Sequence, residues 1–239
     1  MRRLSLRRRS NQQAAIATSV SLRSYLLVQV KPSGFDEPHV TLNFPDIKLN
    51  HTWLASELPY PTATTSAAPT SLDPALLKSI DPLLELFAKN EVQHAAVLTF
   101  LYLYLSLSPS ADHDVSFRLR SSIPIGSGLG SSASISVCLA TALLRMTQHI
   151  PPPASQNPDV LNIINAWAFL GEKCLHGNPS GVDNTVATFG GGVVFRKERR
   201  ERKLSNGTFT PSKPAEKIVI RYFTLAQKVD IESPRSAFY

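Results

Sequence analysis

The chain's clearest hydrophobic pattern is the alternation in "VSFRLRSSI" (Val115 to Ile123). Val115, Phe117 and Leu119 are apolar, and Ser116, Arg118 and Arg120 are polar. A period of two predicts a half-buried strand. "SLRSYLLVQV" (Ser21 to Val30) and "HVTLNFPDI" (His39 to Ile47, ended by Pro45) have the β-branched and aromatic content of two further strands. "FGGGVVF" (Phe189 to Phe195) and "KIVIRYFTL" (Lys217 to Leu225) read as late strands. Helical patterns occupy about Pro74 to Leu107, about Ser131 to Gln148 with Pro151 to Pro153 as its stop, and Asp159 to Gly177. The last has a plausible N-cap in Asp159 and C-cap in Gly177. Strands and helices mix without a regular βαβ repeat, which predicts an α+β fold with a mixed sheet packed on helices.

Composition adds a core of useful size. The 239 residues are 43% hydrophobic and 18% charged, and 18 of them are proline. Leu58 to Pro74 ("LPYPTATTSAAPTSLDP") is rich in Pro, Ser and Thr and is expected to be an exposed loop. "AAVLTFLYLYLSLS" (Ala95 to Ser108) is shorter than a membrane span and reads as a core helix, so no membrane association is expected.

The net charge of +7 changes less than it promises. Arg2, Arg3, Arg7, Arg8 and Arg9 account for five charges, leaving 7 − 5 = +2 for the remainder. The second basic run, Arg196 to Lys203, is interrupted by Glu198 and Glu201, and no aromatic residues alternate with either run. That argues against nucleic-acid binding and for a solvated tail and loop. Residues 1–13 are read as a basic disordered tail. Met1 to Gly34 is also Arg-rich and acid-free, the composition of a mitochondrial transit peptide, but no apolar stretch makes it a secretory signal. The two cysteines, Cys138 and Cys174, fall in predicted helices without metal-type neighbours and are expected to be free buried thiols.

Candidate chemistry concentrates in two places. "IPIGSGLGSSA" (Ile123 to Ala133) joins a predicted strand to a predicted helix. Gly126, Gly128 and Gly130 allow positive φ and close backbone approach, and Ser131 and Ser132 open a helix whose first amides lack intrahelical partners. Such a turn suits an anion, with a nucleotide's phosphates the obvious guest, although the same turn is often purely structural. It is neither a Walker A loop, for want of a following lysine, nor a dinucleotide fingerprint. Downstream, "HGNPSGVDNTVATFGGG" (His176 to Gly192) places Asp183 and Asn184 beyond a tight turn, with Glu172 one turn before the end of the preceding helix. A carboxylate in a turn can serve as general base, and one on a helix can hold Mg²⁺. Equally, Asp183 and Asn184 could cap a helix and Glu172 could lie on the surface.

Together these segments resemble the GHMP kinases, and "GEKCLHGNPSGVDNTVATFGGG" resembles their mevalonate kinase branch. The resemblance runs from about Ala14 to Lys197. It implies the GHMP N-terminal domain (ribosomal protein S5 domain 2-like) over 14–197, with 198–239 a divergent segment. It implies ATP and Mg²⁺ as cofactors and the primary hydroxyl of mevalonate as acceptor. Gly126, Ser127, Gly128, Leu129, Gly130, Ser131 and Ser132 would wrap the triphosphate, and Ser121 matches a nucleotide contact. Ser132 and Glu172 would hold Mg²⁺, and Asp183 would be the base. A cytoplasmic enzyme of isoprenoid and sterol synthesis, able to form a homodimer, is the corresponding expectation.

The sequence departs from that family at both ends. The N-terminal motif of the type "PGKVILFGEH", whose lysine orients the alcohol and lowers its pKa, is absent, and the chain opens "MRRLSLRRRSNQQ". After "KIVIRYF" it reads "TLAQKVDIESPRSAFY", without the glycine-rich loop of the family's C-terminal domain. The C-terminal GHMP domain is therefore expected to be largely missing. An inactive fragment or pseudoenzyme with at most weak ATP binding is the alternative to an active kinase.

Overall fold

The computed structural model describes residues 4–6, 13–32, 37–62, 67–68, 70–151, 157–199 and 216–223. Its strands form two four-stranded sheets. One has the order β3 (Ser24–Pro32), β6 (His113–Ser121), β4 (His39–Phe44), β5 (Leu49–Leu54). The other has the order β1 (Leu4–Leu6), β2 (Gln13–Thr18), β7 (Gly192–Arg199), β8 (Glu216–Phe223). The helices are α1 (Pro74–Leu84), α2 (Glu91–Leu107), α3 (Ser131–Met146), α4 (Pro158–His176) and α5 (Val182–Phe189).

The expected alternation on β6 is realised: Val115, Phe117 and Leu119 are buried while Arg118 and Arg120 are exposed. β6 runs antiparallel to β3 and parallel to β4, so the sheet is mixed. Its inner face packs on the helices. α2 sits at the centre, and "FLYLYL" from Phe100 to Leu105 is buried on every side, as expected for a helix apolar all round. Phe100 stacks on Trp53 and Tyr104, and meets Phe117 edge-on with ring centroids 5.0 Å apart. A smaller core of Ala17, Val182, Val186, Val193 and Phe195 joins the second sheet to α5.

Several local expectations are corrected. The single helical region from Pro74 to Leu107 is two helices: a 3-10 turn at Glu85–Phe87 follows α1, and Asn90 caps α2 by accepting from the Gln93 amide at 3.1 Å. The cap of α4 is Asn157, not Asp159; its Oδ1 accepts from the Asp159 amide, and Pro158 occupies the first helical position, where a missing N–H costs nothing. α3 stops at Met146, ahead of Pro151, because Gln148 turns left-handed (φ 58°) and the His149 and Ile150 amides both return to the Leu144 carbonyl.

Strand β5 has no sequence-based counterpart. Its hairpin with β4 turns through Pro45–Ile47 and Lys48, a non-glycine residue at φ 55°, which a reading based on Gly and Asn turns overlooks. The described residues of the Pro-rich loop are not simply exposed: Leu58 is buried, and the Tyr60 and Tyr104 hydroxyls lie 3.3 Å apart.

The ends of the chain also pair. Leu4–Leu6, inside the stretch read as a disordered tail, forms β1 against β2, whose edge it covers. β8, beyond the 197 boundary, pairs antiparallel with β7. The remainder of both terminal segments lies outside the described residues.

Candidate active site

The glycine-rich stretch is built from the end of β6. Asp46, in the turn after β4, accepts from Arg120 Nη1 at 3.0 Å and from the Ser121 amide at 2.7 Å, tying the exits of the two parallel strands together. The Ser121 hydroxyl lies 2.9 Å from that of Ser24 and accepts from the Ile123 amide at 3.2 Å. Ser121 is thereby engaged in shaping the start of the loop, and it does not line the cavity described below. The Ser127 hydroxyl donates to the Pro124 carbonyl at 2.7 Å and closes the first turn.

Gly126, Gly128 and Gly130 all have positive φ (74°, 72° and 75°), a conformation that a Cβ would strain. Gly130 caps α3 without a side-chain hydrogen bond, so the first amides of a 16-residue helix keep their donors. Gly126, Gly128, Gly130, Ser131 and Ser132 line one cavity of about 720 Å³. Ser127 and Leu129 point elsewhere, and Leu129 packs on the smaller core.

Glu172 does not lie on the surface: it is buried on α4 at 3% exposure. Burial raises its pKa and the nearby charge of Asp183 raises it further, while hydrogen bonding from the Ser132 side chain and the charge of His176 oppose that shift. His176 Nε2 lies 4.0 Å from Glu172 Oε2, and His176 lines the cavity. A serine hydroxyl beside a buried carboxylate is a hard oxygen set of the kind Mg²⁺ accepts together with substrate phosphates. Among the described residues no group of three His, Cys, Asp or Glu side chains could hold a metal, so the cation's other ligands would come from nucleotide and water.

Asp183 lies in the first turn of α5 and lines the same cavity. Gly181 caps α5 at φ 76°, and a Cβ there would lie 3.5 Å from the Phe169 ring. Asn184, 2% exposed, donates from Nδ2 to Asn165 Oδ1 at 2.7 Å. Lys173 Nζ sits 5.0 Å above the Phe169 ring centroid and donates to the Thr70 carbonyl. Asn165, Phe169 and Lys173 recur every fourth residue and form one stripe of α4, whose first two members meet the start of α5 and whose third reaches the Thr70 carbonyl. The sequence reading missed this stripe, together with Asp46 and His176. A search for i, i+4 spacing within "NAWAFLGEK" would have found the stripe.

The rest of the cavity wall is mainly apolar, with Leu42, Phe44, Ile47, Val92, Leu119 and Ile135 among its members. Its charged or titratable lining residues are Glu91, His176 and Asp183; no lysine or arginine lines it among the described residues.

The site thus brings together a left-handed glycine loop that opens a helix, a carboxylate buried on α4 and a second carboxylate that lines the loop's cavity, the donor set a phosphate-binding loop offers. Residues 91–192 match the GHMP kinases N terminal domain. The mevalonate kinase of Candida albicans is 40% identical over 223 residues, covering 86% of this chain and 51% of that protein. The Gibberella zeae enzyme is 45% identical over 203 residues (77% and 40%), and the human one 38% over 199 residues (77% and 49%). The chain is homologous to the GHMP kinases and, within them, to the mevalonate kinases. It spans about half the length of the curated relatives it matches. The crystal structure of Methanococcus jannaschii mevalonate kinase has a TM-score of 0.53 at 19% identity, covering 76% of this chain and 46% of that one. A second mevalonate kinase crystal structure has a TM-score of 0.50 at 18% identity, covering 77% and 46%. These two likenesses show the GHMP N-terminal fold. No helix among the described residues is long and apolar enough to cross a membrane.

Proposed function

We propose that this chain binds the triphosphate of MgATP at the Gly126–Ser132 loop, in a site whose chemistry is phosphoryl transfer to the primary hydroxyl of mevalonate, and that the chain by itself turns over little or no substrate. The observation that carries the reading is the shared cavity of the glycine loop, Ser132 and Asp183, with Glu172 buried behind it and no described cation in its lining.

Phosphoryl transfer is mostly positioning and charge stabilisation. The loop amides and the N-terminal end of α3 supply fixed donors for the phosphate oxygens. Ser132 and Glu172 would hold Mg²⁺, which when bound neutralises phosphate charge. Asp183 would receive the alcohol's hydrogen bond and aim its oxygen. A free aspartate has a pKa of about 3.9, so it is a weak base for an alcohol unless a neighbouring cation assists. The described lining offers none, which favours nucleotide binding without efficient turnover over the active-kinase reading. A cytoplasmic location and a homodimer accord with the resemblance and form part of the proposal.

Titration of the purified chain with ATP and Mg²⁺ by calorimetry tests the binding half, and Ser132→Ala is expected to weaken it several-fold. A coupled ADP-release assay with mevalonate tests the other half. Robust turnover that disappears in Asp183→Ala would overturn the low-activity reading, and unchanged nucleotide affinity in Ser132→Ala would overturn the loop assignment.

A further inference from the structure

Four buried side-chain polar atoms lack a hydrogen-bond partner among the described residues: Asn43 Oδ1, Thr99 Oγ1, Ser136 Oγ and Glu172 Oε1. Asn43 lies on β4. The other three lie on α2, α3 and α4, where those helices converge. Ser136 Oγ is 2.8 Å from the point a Cβ on Gly171 would occupy, immediately before Glu172. Leu103 is 3.3 Å from the same point, and Thr99 lies one turn before Leu103 on α2. Ser136 lies one turn beyond Ser132 on α3. Thr99 and Ser136 are 2% and 0% exposed, and both are among the residues that line the cavity.

A helical Ser or Thr ordinarily returns its hydroxyl to the carbonyl four residues back. Thr141 and Thr147 do so on or just beyond α3, at 2.7 and 2.9 Å from the carbonyls of Val137 and Leu143. Thr99 and Ser136 do not. Leaving a buried hydroxyl or carboxylate oxygen unpaired is costly, and a water with two to four polar neighbours is the usual remedy.

We propose that Thr99 and Ser136 hold an ordered water that bonds to Glu172 Oε1, making the two hydroxyls positioning residues for the Glu172 carboxylate. The water fixes Oε1 and leaves Oε2 on the side of His176. This arrangement deepens the proposed function, because it matters for binding only if Glu172 is a cation ligand. Outer partners of a metal-binding carboxylate typically contribute roughly ten- to a hundred-fold to metal affinity.

The test uses the full chain with Thr99→Val, Thr99→Ser and Ser136→Ala. Thr99→Val keeps the shape and removes only the hydroxyl. A crystal structure of the wild-type chain at high resolution is expected to show the water within hydrogen-bond distance of all three atoms, and that of Thr99→Val to lack it. Thermal melting is expected to place Thr99→Val below wild type by a few degrees and Thr99→Ser close to it. In Mg²⁺ titrations at fixed ATP, Thr99→Val and Ser136→Ala are expected to weaken Mg²⁺ binding about tenfold, with Thr99→Ser within about twofold of wild type. A Thr99→Val protein that melts higher than wild type, as removal of an unpaired hydroxyl would produce, overturns the proposal, as does a dry junction in the crystal. Mg²⁺ affinity unchanged in Thr99→Val and Ser136→Ala overturns the positioning role. Failure of the wild type to bind MgATP would instead count against the proposed function, and the crystallographic and melting results would still decide the water.

Discussion

Asn184 Nδ2 donates to Asn165 Oδ1 at 2.7 Å, the shortest of the hydrogen bonds that tie α5, which carries Asp183, to Asn165 on α4, which carries Glu172. The two carboxylates are thus set by a helix pair rather than by a loop, and their separation depends on side chains that do not themselves line the cavity.

Replacing Asn165 by Ala leaves the buried Asn184 amide without its main partner. A loss of about 1–3 kcal/mol in stability is expected, the range for an orphaned buried polar group. Urea denaturation followed by circular dichroism measures it; a change below about 0.5 kcal/mol would mean that α5 is held by its apolar contacts alone.

Gly171 is required for space rather than for backbone conformation. An added Cβ would meet Ser136 Oγ at 2.8 Å and Leu103 at 3.3 Å, so Gly171→Ala must push α3 or α2 away from α4. Overpacking of this kind costs about 1–3 kcal/mol. Its coupling to Ser136→Gly in a double-mutant cycle should be favourable, with the double mutant more stable than the two single losses predict.

The raised pKa of Glu172 fixes the sign of a pH effect. A carboxyl whose pKa is higher folded than unfolded binds its proton more tightly in the native state. Its charged form therefore destabilises the fold, increasingly as pH rises from the ordinary carboxylate range through the raised value. Glu172→Gln is expected to melt above wild type at neutral pH, with the gap closing as pH falls to about 4. The same variant should lose Mg²⁺-dependent nucleotide binding, measured by calorimetry.

Cys138 and Cys174 are pushed up by burial to about 11 and about 12. At neutral pH both are thiols rather than thiolates, so native-state alkylation by iodoacetamide should be slow at both and rise sharply in denaturant. Mass spectrometry of the labelled chain reads this directly.

The strand that leads into the glycine loop and the helix that follows it were legible because their signals are local: a two-residue alternation on β6 and three glycines before a run of helix formers. β5 was not, because its turn relies on Lys48 in a left-handed conformation that carries no sequence mark. Nor were the partners of the site. Asp46 reaches Ser121 across 75 positions of sequence, and Glu172 looks like a surface acid on its helix until α3 is laid against it. Carboxylates acquire their chemistry from what tertiary packing brings near, whereas a glycine loop carries its geometry within itself.

The second sheet has a consequence for how the protein is made. β2 ends at Thr18 and its partner β7 begins at Gly192, so the paired ends are 192 − 18 = 174 positions apart in sequence. During synthesis the early strand must wait for most of the chain to emerge before its far edge is covered. Pairings of such long range are slow to close and leave strand edges available to other molecules meanwhile. The stretch from Ser24 to Phe189, which carries the larger core and the glycine loop, can assemble first, and the sheet that supports α5 from below comes last. Nascent chains halted before β7 should accordingly engage chaperones through their N-terminal strands and release them once Gly192–Arg199 is exposed.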